Sequence, residues 1–158
     1  MSEDANQEVT VEIEASQADC FAAILDFERY PEWSSAVSGA RIIERDAAGV
    51  GTVVEFTIDA KVKTIRYVLE YKHKKPTSLT WKAIDGDIES IEGAYRFRKL
   101  SADRTEASCH QQITLGFWLP GPLRRLAERT ALAQSVNEFK AYVEKLQAAP
   151  ARKQRRSK

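Results

Sequence analysis

The sequence predicts an α+β protein in which a curved antiparallel sheet of about seven strands surrounds a long C-terminal helix. Three observations lead to this prediction. A short amphipathic helix follows the first strand, six more strands follow at short spacing between residues 40 and 115, and a long amphipathic helix closes the chain. Strands this close together pair as antiparallel neighbours, because parallel crossovers need about a dozen residues or more.

The N-terminal part contains one strand and two short helices. Apolar and polar residues alternate from 9 to 13, which indicates a half-buried strand. Ser16 is a favourable N-cap for the helix that follows, and this helix should stop before Pro31. Residues 30–33 would form a further short helical turn. The first seven residues are polar and acidic, so we expect a flexible N-terminus without a signal peptide.

Six strands follow, and their alternation separates a polar face from an apolar face that is rich in aromatic residues. Turn-forming residues such as Asp85-Gly86 mark most of the connections. The connection at 59–62 contains neither glycine nor proline and is the least defined. The predicted strands are 40–45, 52–59, 64–73, 79–84, 88–100 and 106–115.

The last helix should cover the apolar face of the sheet. It is predicted to begin at Pro122 and to end before Pro150, a length of about 27 residues. Its apolar stripe consists of Leu132, Val136, Phe139, Val143 and Leu146. Leu123 and Leu126 lie on nearly the opposite side, so either the helix breaks near residues 129–131 or its first turns face something else.

Composition limits the classes of function. The 158 residues are most simply one domain, and a net charge of +1 gives no overall field for nucleic acid, so no DNA partner is expected. The two cysteines fit small buried side chains better than a disulfide framework. No apolar run reaches the ~18 residues of a membrane span, and we expect a cytoplasmic protein. Residues 149–158 should form a basic, disordered tail.

Metal and cofactor chemistry has little support in the sequence. His73 and His110 lie on different predicted strands, and His110 should point outward. Cys109 precedes His110 in a strand, so the two side chains point to opposite faces and cannot form a dyad. There is no glycine-rich phosphate loop. We therefore expect no metal and no cofactor.

Two segments resemble a known family. They are 26–33 (Asp-Phe-Glu-Arg-Tyr-Pro-Glu-Trp) and 119–125 (Leu-Pro-Gly-Pro-Leu-Arg-Arg). With the order of the elements, they are similar to the polyketide cyclase/dehydrase and coenzyme Q-binding branch of the START-like (SRPBCC) superfamily, over residues 8–148. The resemblance implies a helix-grip fold, as in START domains and the birch pollen allergen. It also implies an internal cavity for a hydrophobic molecule such as a lipid, isoprenoid quinone or polyketide, without naming the ligand.

Side chains that face inward would line this cavity. Burying ~300 Å² of an apolar ligand would contribute roughly 7 kcal/mol before the costs of association. The alternative is that the same side chains meet the helix and leave no void. The predicted lining residues are Trp33, Val54, Phe56, Ile58, Ile65, Tyr67, Leu69, Trp81, Ile91, Tyr95, Phe97, Phe117, Trp118 and Phe139.

The first alternative to simple binding is a polyketide aromatase/cyclase. Such an enzyme orients a flexible chain and needs a few acid/base groups. The candidates on the inward parity are Tyr67, Tyr71, Tyr95, Glu89 and Gln111. The tyrosines equally fit a cavity wall, and Glu89 fits a solvated position at the mouth. No inward pair of ionisable groups stands out, which weakens the enzymatic hypothesis.

The loop before the last helix adds two hypotheses about partners. Phe117, Trp118 and Leu119 lie beside arginines at 124, 125 and 129, a pattern typical of contact with a membrane surface. We expect these three residues to act as a lid where a lipid-like ligand enters, although ordinary core packing is the alternative. The same arginines and the basic tail would also suit a ribosome or another protein partner, as the resemblance to ribosome-acting relatives implies.

Overall fold

The computed structural model describes residues 5–59, 64–114 and 129–156, and its elements follow the predicted order. A 3₁₀ helix at Phe27–Arg29 joins the first two α-helices. The helices are α1 (Gln17–Leu25), α2 (Tyr30–Trp33) and α3 (Arg129–Arg156). The strands are β1 (Ala5–Ile13), β2 (Val37–Arg45), β3 (Gly51–Asp59), β4 (Thr64–Lys74), β5 (Ser78–Gly86), β6 (Ser90–Ser101) and β7 (Arg104–Thr114).

All seven strands form one antiparallel sheet in the order β1-β7-β6-β5-β4-β3-β2. Strands β2 to β7 are a meander in which each strand pairs with the next along the chain. Strand β1 then pairs with β7, from Ala5 opposite Ile113 to Ile13 opposite Thr105. The predicted α+β helix-grip architecture, a curved sheet with a long C-terminal helix, is confirmed.

The N-terminal helices connect the sheet to α3. The Ser16 hydroxyl accepts a hydrogen bond from the Asp19 amide at 3.1 Å, as expected of an N-cap. The Ser35 amide, just after α2, donates to the Glu138 carboxylate at 3.1 Å. At the other end, the Glu14 amide donates to the Glu144 carboxylate at 2.9 Å. These two contacts hold α3 along the inner side of the sheet.

The last helix differs from the prediction at its C-terminal end. It continues to Arg156, past Pro150, so residues 149–156 are helical rather than a disordered tail. A proline removes one backbone hydrogen bond, but the alanine, arginine, lysine and glutamine residues around it are strong helix formers. The predicted start at Pro122 lies outside the described residues.

The β5–β6 connection also differs, since β6 begins at Ser90 rather than at residue 88. The Asp87 amide donates to the Arg66 carbonyl at 2.7 Å, and the Arg66 amide donates to the Asp87 carboxylate at 2.8 Å. These bonds hold the connection against β4 and keep residues 87–89 out of the sheet.

The core lies between the sheet and the helices. Val136, Phe139 and Val143 of α3 are fully buried, as their stripe predicted. Both cysteines are buried and free, which confirms their interpretation as small core residues. No helix within the described ranges is long and apolar enough to cross a membrane.

Candidate functional site

One part of the inner face is closed by direct contact with α3. The Phe139 ring lies 5.5 Å from the Tyr95 ring and 5.4 Å from the Trp33 ring, measured between centroids. Tyr95 and Phe97 stack at 5.5 Å. The predicted lining residues that are buried in this packed core are Val54, Phe56, Ile65, Leu69, Ile91, Tyr95, Phe97 and Phe139. For these positions the structure shows core packing.

The other part of the inner face is not fully covered. Six inward-facing residues are half-buried, although their neighbours along the same strands are buried. They come from the middle and C-terminal parts of β3, β5 and β7 and from the start of β4. In an antiparallel sheet these parts of the strands lie toward the same end of the sheet. We call this group the open end; it consists of Ile58, Tyr67, Trp81, Ala83, Gln111 and Ile113.

The middle of the open end depends on a glycine. Gly93 lies between Trp81 and Gln111 in one cross-strand row. A Cβ at Gly93 would lie 2.6 Å from the Trp81 ring, so the absence of a side chain lets that ring cross β6. Trp81 Nε1 then donates to Gln111 Oε1 at 3.2 Å. Gly93 is not among the predicted site residues, although a glycine inside a strand is a signal for such a close approach.

The inner tyrosines are neutral hydrogen-bonding groups. Burial raises the pKa values of Tyr30, Tyr71 and Tyr95 well above the ordinary value of a tyrosine hydroxyl. It also raises the pKa of Tyr67. The Tyr30 hydroxyl donates to the Ile24 carbonyl at 2.6 Å. Phenols with such pKa values stay protonated at neutral pH, so they can donate to an oxygen but cannot serve as bases.

The prediction that Glu89 faces inward is wrong. This residue is exposed and lies in the β5–β6 connection, because the contact of Asp87 with β4 ends the alternation before β6 begins. Gln111 does face inward, as its bond to Trp81 shows. Among the residues that the structure describes, no three His, Cys, Asp or Glu side chains form a group that could hold a metal ion.

The raised tyrosine pKa values predict a loss of stability in alkali. Ionisation above pH ~10 is open to the tyrosines of the unfolded chain but is disfavoured in the fold. The stability that the fold gains from keeping these tyrosines neutral is therefore fully present below pH ~10, and it decreases as the pH rises further. We expect tyrosinate absorbance and the loss of helical circular dichroism to appear together in one alkaline transition. Tyr142 is the fifth tyrosine and is partly exposed, so ionisation of two or more tyrosines at pH ~10 in a protein that remains folded would contradict the burial of the other four rings.

The outer face carries a groove lined mainly by charged and polar residues. Its volume is about 370 Å³, and its floor includes Gly93 and Ala94 of β6. The walls carry charges of both signs, and Lys82 pairs with Glu70 at 3.8 Å. Most of these side chains alternate with the inward ones, but Trp81 of the open end also contributes to the lining of the groove.

The predicted lid residues Phe117, Trp118 and Leu119 lie outside the described residues, as do Arg124 and Arg125. The lid, the membrane contact and the ribosome contact therefore stay predictions.

A family model described as "Polyketide cyclase / dehydrase and lipid transport" matches residues 13–140. No curated protein shows significant similarity to the chain.

Solved structures share the fold at low sequence identity. A START superfamily protein from Mycobacterium smegmatis has a TM-score of 0.79 and 21% identity, over 89% of this chain and 98% of that one. The Zhui aromatase/cyclase from Streptomyces sp. R1128 has a TM-score of 0.73 and 14% identity, over 89% and 94%. The di-domain aromatase/cyclase StfQ of the steffimycin biosynthetic pathway has a TM-score of 0.66 and 12% identity, over 92% and 52%. At these identities the similarity shows the fold alone.

Proposed function

Because the chain belongs to the polyketide cyclase/dehydrase and lipid transport family, we propose that it binds a hydrophobic small molecule between the sheet and α3, with entry at the open end. The molecule is of the lipid, isoprenoid quinone or polyketide kind. The observation that carries this proposal is the half-buried, mainly apolar surface of the open end on the inner side of the sheet. A filled core would bury these side chains as it buries Tyr95 and Phe97 in the neighbouring strand.

The residues of the open end favour binding over catalysis. They comprise three aliphatic side chains, a tyrosine, a tryptophan and a glutamine, none of which is ionised at neutral pH. An apolar ligand needs no more, since roughly 25 cal/mol is gained per Å² removed from water. Aromatase/cyclase activity would require an acid/base pair that this group does not contain. Membership of the family therefore supports a shared ligand class more than a shared reaction.

The proposal is tested by native mass spectrometry of the purified protein, followed by organic extraction of the same sample. We expect an adduct that disappears on extraction and is recovered as a lipid, quinone or polyketide. A mass that matches the bare chain, together with no thermal shift from a panel of such molecules, would contradict the proposal.

Filling the open end should abolish binding. Ala83 is half-buried and faces inward, opposite Leu69 of β4. We expect Ala83→Phe to weaken binding of the neutral fluorescent probe N-phenyl-1-naphthylamine by about tenfold or more, because the new ring occupies the entrance. The matched control is Ile84→Phe, since Ile84 is the next residue of β5 and is 49% exposed. Equal affinity of both variants, at equal thermal midpoints, would place the ligand elsewhere.

A further inference from the structure

One polar atom in the interior lacks a partner. Trp33 ends α2, and its ring lies against Tyr30, Phe139 and Tyr142 at centroid distances of 4.9, 5.4 and 6.0 Å. The Trp33 side chain is half-buried, but its Nε1 atom is closed off from solvent and donates to no acceptor. Within the described part of the chain, no other buried side-chain nitrogen or oxygen is in this condition.

Comparable interior donors have acceptors within the chain. Trp81 Nε1 donates to Gln111 at 3.2 Å, and the Thr105 hydroxyl donates to the Ala15 carbonyl at 2.8 Å. An unsatisfied buried donor costs about 1–3 kcal/mol, and folded proteins rarely retain one without a role. Trp33 Nε1 lacks such an acceptor, and a bound molecule could supply one.

The position of Trp33 connects this atom to the open end. Its ring contacts Tyr30, the Tyr30 ring lies 5.6 Å from Phe56, and Phe56 stacks on Tyr67 at 5.5 Å. Tyr67 belongs to the open end. From Trp33 to Tyr67 each ring contacts the next, which links Trp33 to the open end through the packed aromatic core.

We propose that the molecule bound in the interior carries a carbonyl oxygen that accepts a hydrogen bond from Trp33 Nε1. This inference rests on the proposed function and narrows its ligand class. The chain would select a ketone, quinone or ester among apolar molecules and discriminate against a hydrocarbon of the same shape. The selection follows from the difference between leaving a buried N–H unpaired and pairing it.

Fluorene and 9-fluorenone are suitable probes, because the two tricyclic molecules differ by one carbonyl group. We expect the wild-type protein to bind fluorenone more tightly, and Trp33→Phe to weaken fluorenone binding about three- to tenfold while changing fluorene binding little. Trp81→Phe is the matched control, since it removes an indole N–H that already bonds Gln111. It should change the affinity for both probes by the same factor.

A second measurement follows probe binding in the wild-type protein and uses the Trp33→Phe variant only to assign a signal. The chain has three tryptophans, so ¹⁵N-correlated NMR spectra contain three indole N–H signals, and loss of one in Trp33→Phe assigns it. Fluorenone should shift the Trp33 signal downfield, whereas fluorene should not. Suppose that both probes bind, that Trp33→Phe changes the two affinities equally, and that the Trp33 indole signal of the wild-type protein shifts equally with both. The inference is then wrong and the proposed function stands. If neither probe binds the wild-type protein in the interior, the inference and the proposed function are both wrong.

Discussion

Phe139→Ala is expected to lower the free energy of unfolding by about 3–5 kcal/mol, the range observed when a buried phenylalanine is truncated. Phe139 is fully buried and contacts the rings of Trp33, Tyr95 and Phe97. It is therefore the point where α3, α2 and β6 meet. Removing its ring leaves a cavity that three rigid neighbours cannot close, so both the lost transfer energy and the cavity contribute.

Urea denaturation followed by circular dichroism measures this effect. Lys145→Ala is the control on the same helix, because Lys145 is exposed. It should change the unfolding free energy by no more than about 0.5 kcal/mol. A loss below about 1 kcal/mol for Phe139→Ala would mean that α3 does not pack on the sheet as described.

Gly86→Ala is expected to cost at least about 3 kcal/mol, from two separate causes. Gly86 has a φ of +112°, which an alanine adopts only with strain. A Cβ at this position would also lie 2.5 Å from the Arg66 carbonyl oxygen and from the Tyr67 Cα. Backbone atoms cannot rotate away as a side chain can, so β4 would have to move. Because Tyr67 belongs to the open end, binding of N-phenyl-1-naphthylamine should weaken as well.

Gly49→Ala separates the two causes. Gly49 has a φ of +87°, but a Cβ there would meet nothing within 4 Å. We expect a loss of about 1–2 kcal/mol from backbone strain and no change in binding of the probe. The measurement is again the midpoint of urea unfolding, with fluorescence titration of the folded protein. Equal losses for the two glycines would show that contact with β4 contributes nothing.

The family and the fold could both be predicted from local features. Two short segments and the order of elements indicated the START-like superfamily, and the match over residues 13–140 confirms that assignment. The alternation that placed Tyr71, Tyr95 and Phe97 inward was correct, since all three are buried against the helices. A period of two residues decides the face of a strand before any packing is known. The same rule failed at Glu89, because hydrogen bonds between Asp87 and Arg66 end the strand first.

The residue types of the candidate site could be predicted from the sequence, but not which of the inward residues are buried and which are only half-buried. Tyr67 and Tyr71 lie on one strand and face the same way, yet Tyr67 is half-buried while Tyr71 is buried. No local pattern separates them. The difference arises from contacts between residues far apart in sequence, since the Tyr71 ring lies 4.3 Å from the Phe27 ring of the 3₁₀ helix, measured between centroids. Of the twelve predicted lining residues that the structure describes, eight are therefore core, whereas Ile58, Tyr67 and Trp81 belong to the open end.

The sequence by itself determined the inward face of most strand positions and the pairing of β2 to β7 in chain order, because these properties follow from periodicity and short connections along the chain. The tertiary structure alone decided where the inner face stays open, that the Trp81 ring crosses Gly93 to reach Gln111, and that Trp33 Nε1 is buried without an acceptor. Each of these depends on the distance between residues that are far apart in sequence. Such distances are set by the packing of the sheet against the helices rather than by any local pattern.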